Sequence, residues 1–222
     1  MMLKKRTLRI GTYDTASYGW TLTGLKLSDP EQKTSYVERI GGDGSHDLST
    51  AMTDGIPRYK VRTLTATLEL SEGDRSDREA VLNHLVDTLD GFVWQIVLPD
   101  RPEHYLSGRV HIAVTQSSPA YAAVTVTAVC EPWFYAKREK VISVTPIVDT
   151  EQTVQIRNTG RLAVVPALVS TGAVTLTYNN VATEIGAGET VWPSLLLTPG
   201  VHTLTFIGEG VLTISFREGV LR

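Results

Sequence analysis

The fold is decided by a stretch in which a strand pattern changes into a helix pattern, 63-TLTATLELSEGDRSDREAVLNHLVDTLDG-91. Residues 63–70 alternate between apolar and polar side chains, and this period of two predicts a half-buried strand. A polar turn follows, in which Asp74 or Ser76 can cap the next element. From 77 to 89 the period becomes helical, with one apolar stripe made of Val81, Leu82, Leu85, Val86 and Leu89.

Three more strands are predicted after this helix, so that one helix lies over a mostly antiparallel sheet. Turn residues separate them at 99–102 and 117–119, and 131-EPWFY-135 closes the unit. Residues 8–13 and 20–27 predict further strands ahead of it. The expected inward faces are Phe92, Trp94, Ile96 and Leu98; Leu106, Val110, Ile112 and Val114; and Ala122, Val124, Val126, Ala128 and Cys130.

A polar segment at residues 34–54 interrupts the strand-rich pattern. Residues 34–40 can form a strand, 41-GGDG-44 predicts a flexible loop, and 45–55 has too few apolar residues for a core element. Such a segment inside a compact domain is usually exposed, or packs on a neighbouring molecule.

The composition changes after the charge cluster 136-AKREK-140, where we place a domain boundary. Beyond it, short apolar strands alternate with Gly-, Asn- and Pro-containing turns and no helix is predicted, a pattern typical of a β-sandwich. We therefore predict a mainly β protein. Residues 1–138 form a mostly antiparallel sheet with one packed α-helix, and residues 141–222 form a β-sandwich or jelly roll.

Composition excludes several functional classes. A formal charge of −3 argues against sequence-independent nucleic-acid binding through phosphates. A single cysteine excludes an intramolecular disulfide framework. The basic N-terminus lacks the apolar core of a signal peptide, and no apolar run approaches the ~20 residues that span a bilayer. We expect a chain that stays in the cytoplasm in which it is made and that contacts no membrane.

No catalytic or metal-binding constellation is predicted. The five histidines lack ligand spacing. Cys130 is in phase with a buried strand face, unsuited to a nucleophile. Asp43 and Asp47 lack the closing Glu of a calcium loop. Asp100 and His104 share a turn, and a small all-β hydrolase using them is a rival hypothesis. We expect no enzyme activity and no cofactor.

The order of motifs resembles that of one protein family, the distal tail proteins of long-tailed, non-contractile bacteriophages. The resemblance covers residues 34–135 well and the remainder by architecture. It rests on the order and spacing of Asp54-Gly55, Arg58/Tyr59/Arg62, Leu82-Asn83-His84-Leu85, Leu98-Pro99-Asp100, Tyr105/Gly108/Arg109 and Cys130/Pro132/Trp133.

This resemblance implies a structural role at the tip of the virion tail. Members of the family form a hexameric ring that joins the tail tube to the baseplate hub and receptor-binding proteins. In that family the first domain is a β-barrel with one helix and builds the ring, and the second is a galectin-like sandwich, so residues 1–138 and 141–222 are expected to take these folds. Assembly is expected in the host cytoplasm. A ring repeats one heterologous interface, and we place it on the polar segment. The basic residues that follow either line the inner or contact surface of the ring or are solvated. The interface candidates are Arg39, Asp43, Gly44, Asp47, Arg58, Lys60 and Arg62, and the structural candidates are Trp94, Cys130, Pro132 and Trp133.

A second hypothesis is a free-standing carbohydrate-binding or adhesin-type sandwich protein that forms no ring. Sugar platforms need exposed aromatic side chains, and Tyr178 and Phe206 are in phase with core residues. Trp192, beside Pro193, is the expected exposed aromatic and the candidate contact for a sugar or a partner.

Overall fold

The structure is a computed structural model that describes residues 7–53, 55–118, 120–148 and 150–222. It confirms a mainly β protein with one α-helix. The chain divides into two compact units, Met1–Phe134 and Tyr135–Arg222. Residues 135–138 lie in the second unit, because the Ala136 N–H donates to Glu218 O and the Arg217 guanidinium donates to the Ala136 and Lys137 carbonyls.

The first unit is built on an antiparallel sheet with the strand order β2-β1-β7-β8-β9-β6-β3. Helix α1 follows β6 and contacts β8 and β9, and a 3₁₀ helix spans Thr15–Tyr18. The bounds are β1 Arg9–Ile10, β2 Tyr13–Asp14, β3 Thr21–Leu27, β4 Tyr36–Glu38, β5 Ser45–Asp47, β6 Arg62–Leu70, α1 Arg75–Leu89, β7 Val93–Val97, β8 His104–Ser117 and β9 Ala122–Cys130. Strand β10, Phe134–Ala136, begins with the last residue of the first unit and continues into the second.

The strand-to-helix transition forms as the pattern predicts. Alternate β6 residues are buried, and Leu82, Leu85 and Leu89 are the buried apolar side chains of α1. The Asp74 carboxylate accepts from the Asp77 N–H at 2.9 Å, and the Asp77 carboxylate caps back in a capping box. The helix therefore begins at Arg75, two residues before the apolar stripe predicts.

The predicted inward orientation is wrong for two residues. Phe92 is 60% exposed and Val114 is 50% exposed. Phe92 precedes β7 at the end of the sheet, where Gly91 turns the chain with φ +82°. At Val114 the pairing of β8 with β9 shifts register before Gln116, and such a bulge bends a strand end out of the sheet.

Beyond the sheet, the chain between β3 and β6 forms an extended two-stranded ribbon. Backbone hydrogen bonds join Lys60 to Glu31 and Lys33 to Arg58. Further out, β4 pairs with β5 in a separate two-stranded antiparallel sheet. We call residues 31–53 the arm. The predicted strand at 34–40 shortens to β4, and Asp54 lies outside the described residues.

The second unit is a sandwich of two four-stranded antiparallel sheets, β11-β18-β13-β16 and β12-β17-β14-β15. The predicted strand at 191–197 is wrong: β16 ends at Val191, and a turn follows in which the Leu195 N–H donates to Trp192 O. The bounds are β11 Lys140–Val144, β12 Gln152–Asn158, β13 Ala167–Ser170, β14 Val174–Tyr178, β15 Val181–Ile185, β16 Gly188–Val191, β17 Gly200–Gly208, β18 Leu212–Phe216 and β19 Gly219–Val220.

Candidate interaction surface

The arm is exposed along its length and carries apolar side chains to solvent. Every residue from 31 to 48 is exposed to solvent. Tyr36 is 61% exposed, Val37 51%, and Ile40 fully exposed. A hairpin of this kind has no core of its own, and isolated two-stranded hairpins are at best marginally stable in water. These exposed apolar groups make the arm a candidate interaction surface.

Register divides the arm into two faces with different chemistry. Tyr36 pairs with Asp47, and Glu38 pairs with Ser45, so these four side chains share one face. Val37 pairs with His46 on the other face. The first face therefore combines one aromatic ring with two carboxylates, and we call it the acidic face.

Backbone geometry at the arm tip requires glycine. Gly41 has φ +75° and Gly44 has φ +79°, which places both in the left-handed region. The Arg39 N–H donates to Gly44 O across this turn. Of the predicted interface residues, Gly44 shapes the tip of the arm. Arg39 and Asp43 lie at the tip and are exposed to solvent.

Asp47 fixes the return strand of the arm. Its carboxylate accepts from the Ser49 N–H at 2.9 Å, and the Ser49 hydroxyl accepts from the Ser35 N–H at 2.9 Å. Hydrogen bonds from the Ser49 hydroxyl and N–H lower the pKa of Asp47. Asp47 therefore presents a negative charge and holds Ser49, whose hydroxyl joins the two strands of the arm.

At the base of the arm, Lys60 pairs with Glu31 at 2.6 Å. Both side chains are at least half exposed, so this ion pair contributes little to stability. Arg58 is also exposed. These two predicted interface cations thus lie where the ribbon leaves the sheet.

Arg62 is not a surface residue, and its predicted interface role is wrong. It is only 4% exposed. Its guanidinium donates to Ser28 O at 2.9 Å and to Pro132 O at 3.3 Å, and it lies 5.1 Å from the Phe134 ring centre. Arg62 continues the inward phase of β6, and its carbonyl partners satisfy the charge there.

The motif residues meet around this buried arginine. The Tyr59 ring packs edge-on against Trp133, with ring centres 5.4 Å apart. Arg101 lies 4.6 Å from the centre of the Phe134 ring, which Arg62 also contacts. We call Tyr59, Arg62, Arg101, Trp133 and Phe134 the base clamp, because it ties the ribbon that carries the arm to the closing segment of the sheet.

Gly108 and Cys130, from two different motifs, lie directly opposite each other on β8 and β9. A Cβ on Gly108 would lie 2.5 Å from the Cys130 sulfur, so only glycine fits. Burial raises the pKa of the Cys130 thiol to about 11, and nearby Arg62 lowers it in part. The thiol is therefore protonated at neutral pH and packs as a core atom.

Trp94 lies where helix and sheet meet, next to the end of α1. Its indole N–H donates to Leu89 O at 3.1 Å, and its ring occupies the space that a Cβ on Gly11 would need. The position of the Trp94 ring explains why residue 11 is glycine. The hydrogen bond to Leu89 O fixes the end of α1 against β7.

Trp192 is not exposed, and the sugar platform that required it is wrong. It is 8% exposed and belongs to the buried cluster of the sandwich. The turn after Val191 folds the indole inward. A shallow cavity of about 130 Å³ is lined by Glu151, Thr175, Thr177, Thr205, Phe206 and Ile207. Its one aromatic residue, Phe206, is 4% exposed and offers no ring face to a sugar.

A buried histidine of the sandwich has both ring nitrogens engaged. His202 Nε2 lies 2.6 Å from Thr198 O, and Nδ1 lies 2.9 Å from the Tyr178 hydroxyl oxygen. The same hydroxyl lies 3.2 Å from Leu196 O. Because a carbonyl only accepts, Nε2 carries a hydrogen and donates to Thr198 O, and the Tyr178 hydroxyl donates to Leu196 O.

Within the described ranges, no group of three or more His, Cys, Asp or Glu side chains could hold a metal ion. No helix in the described part of the chain is long and apolar enough to cross a membrane.

Sequence reasoning missed Arg101 and Phe134 of the base clamp. Arg101 stands among turn residues in the sequence, which gives no indication of a buried contact. Phe134 could have been identified as a packing residue, because it continues the aromatic run after Pro132. The pairing itself carries no local signal, because Arg101 and Phe134 are joined through the fold.

The whole chain shares its fold with a solved phage protein. The crystal structure of SPP1 Dit (gp 19.1), described as a paradigm of the hub adsorption apparatus in phages that infect Gram-positive bacteria, superposes with a TM-score of 0.69. The match covers 96% of this chain and 99% of the phage protein, at 15% sequence identity. This chain therefore has the Dit fold. No protein-family model matches it, and no curated protein matches it by sequence.

Proposed function

We propose that this chain is a structural hub protein of a bacteriophage tail tip. In this proposal six copies close into a ring that joins the tail tube to the baseplate and receptor-binding proteins. The protein acts through its surfaces and performs no catalysis. The observation that carries the proposal is the near end-to-end match to the SPP1 hub protein.

The exposed arm supports the ring part of the proposal. A closed ring needs one surface that projects from each copy and a different surface that receives it. The arm, residues 31–53, supplies roughly 20 residues, close to one side of a standard protein interface. The base clamp ties its ribbon to the sheet, so the arm is presented from a defined anchor.

The first test is the mass of the purified chain in solution, with negative-stain images of the same peak. A ring of six copies of 24.3 kDa has a mass of about 146 kDa and a central hole. A monomer at every concentration, also in the presence of the neighbouring tail proteins, would contradict the proposal.

A second test separates the arm from the rest of the surface. Replacing Tyr36, Val37 and Ile40 with Ser removes exposed apolar groups that the fold does not need, and we expect ring loss in a folded chain. The matched control replaces the exposed valines 181 and 201 of the sandwich with Ser, and should leave rings intact. Deleting residues 41–49 and recovering rings at full yield would exclude the arm as the ring contact.

A further inference from the structure

An uncovered apolar row crosses the first unit at the end of the sheet from which the arm leaves. Val93, Arg109, Val129 and Thr63 are register partners on four adjacent strands, and all four are exposed. Val93 is 56% exposed and Val129 is 53% exposed. We call these four residues the row.

The row carries one cation in its centre. Arg109 lies between Val93 and Val129 in the strand register, and its guanidinium donates to Gly91 O. A guanidinium has five N–H donors, so this contact leaves donors for a further acceptor. The row thus offers one cation together with an apolar side chain on each neighbouring strand.

We propose that the row is the docking site for the acidic face of the arm of a second copy of this chain. Tyr36 fits the valine surface, and Glu38 and Asp47 supply carboxylates for Arg109. The arm hairpin, residues 36–47, bears three carboxylates (Glu38, Asp43, Asp47) against one guanidinium, Arg39. Opposite charges favour this pairing, and carboxylate–guanidinium pairs fix its register.

The dimensions agree with this docking. Four strands spaced about 4.8 Å apart make the row roughly 15 Å long. The hairpin from Tyr36 to its tip extends roughly 17–20 Å at about 3.3 Å per residue, so one arm covers the row. The inference rests on the proposed ring, and it assigns the receiving surface of the repeated interface.

The test uses full-length chains that carry single cysteines. One preparation carries Glu38→Cys, a second carries Val93→Cys, and the two are mixed under mild oxidation. We expect a cross-linked dimer in the mixture, and a ladder reaching six chains when one chain carries both substitutions. The native Cys130 is fully buried and does not compete.

Charge reversal gives an independent readout. Arg109→Glu should raise the concentration for half-assembly about tenfold, and combining it with Glu38→Arg should recover much of that loss. The matched control is Arg157→Glu, an exposed strand residue of the sandwich, which should leave assembly unchanged. Circular dichroism and melting establish that each variant is folded.

The outcomes separate the inference from the proposed function. Rings without the cross-link, and with no effect of Arg109→Glu, overturn this inference and leave the ring proposal standing. A cross-link within one chain also overturns it, since the row is then covered by its own arm. A monomer in every preparation overturns both.

Discussion

Gly108→Ala tests the packing of β8 against β9 in the first unit. The new methyl carbon would lie 2.5 Å from the Cys130 sulfur, 2.9 Å from Val129 O and 3.0 Å from the Cys130 Cα. Contacts this short force the strands or the sulfur to move, and overpacking of a core costs roughly 1–3 kcal/mol. We therefore expect Gly108→Ala to lower the free energy of unfolding of the first unit by about 2 kcal/mol.

A second variant, Cys130→Ala, removes the sulfur that the new methyl carbon at position 108 would contact. Alone it should cost about 1 kcal/mol, because it deletes one buried heavy atom. In that background Gly108→Ala should cost at least about 1 kcal/mol less than in the native chain. The two backbone contacts remain, so recovery is partial.

Urea unfolding followed by tryptophan fluorescence measures these differences, since Trp20, Trp94 and Trp133 lie in the first unit. Gly42→Ala is the control, because its methyl carbon would meet its nearest neighbour at an ordinary 3.9 Å. Equal costs of Gly108→Ala in both backgrounds would refute the sulfur collision as its cause.

The remaining predictions concern the sandwich and the buried thiol. Trp192→Ala should destabilise the second unit by about 3–5 kcal/mol in denaturant titrations; a fully stable variant would contradict its core position. Burial by itself raises the pKa of Glu218, but hydrogen bonds from the Thr159 N–H and hydroxyl and from Lys140 lower it below 4.5 overall. Its stabilisation is therefore present above the unfolded pKa and is lost as pH falls through the folded pKa, so melts of Glu218→Gln should differ from native at pH 7 and converge in acid. Cys130, with its pKa raised to about 11, should react with a thiol reagent at pH 8 only when the chain unfolds; rapid labelling of the native protein would contradict this.

The sequence predicts the strand and helix of the first unit well because their burial follows local periodicity. Leu64, Ala66 and Leu68 are buried by alternation in β6, and Leu82 and Leu85 by helical spacing in α1. Asp74 is identifiable as a cap from the turn before the helix. The exposed arm also follows from local information, since residues 45–55 have too few apolar side chains for a core.

The base clamp could not be predicted because its contacts join distant parts of the chain. Arg62 binds carbonyls 34 and 70 residues away. A charged residue on a strand is usually solvated, yet Arg62 shares the inward phase of Leu64, and this was the one local signal of burial. The prediction that Trp192 is exposed was wrong for a related reason. Its position beside Pro193 indicates a turn but does not indicate where the indole points.

The hydrogen bonds through His202 have a consequence for the segment that leads into β17. His202 Nε2 donates to Thr198 O, and the Tyr178 hydroxyl donates to Leu196 O. Two side chains that contact each other, one on β14 and one on β17, therefore hold two carbonyl groups of the short segment 196–198. Removing either ring would take away the side-chain donor of one of these carbonyl groups and loosen the entry to β17.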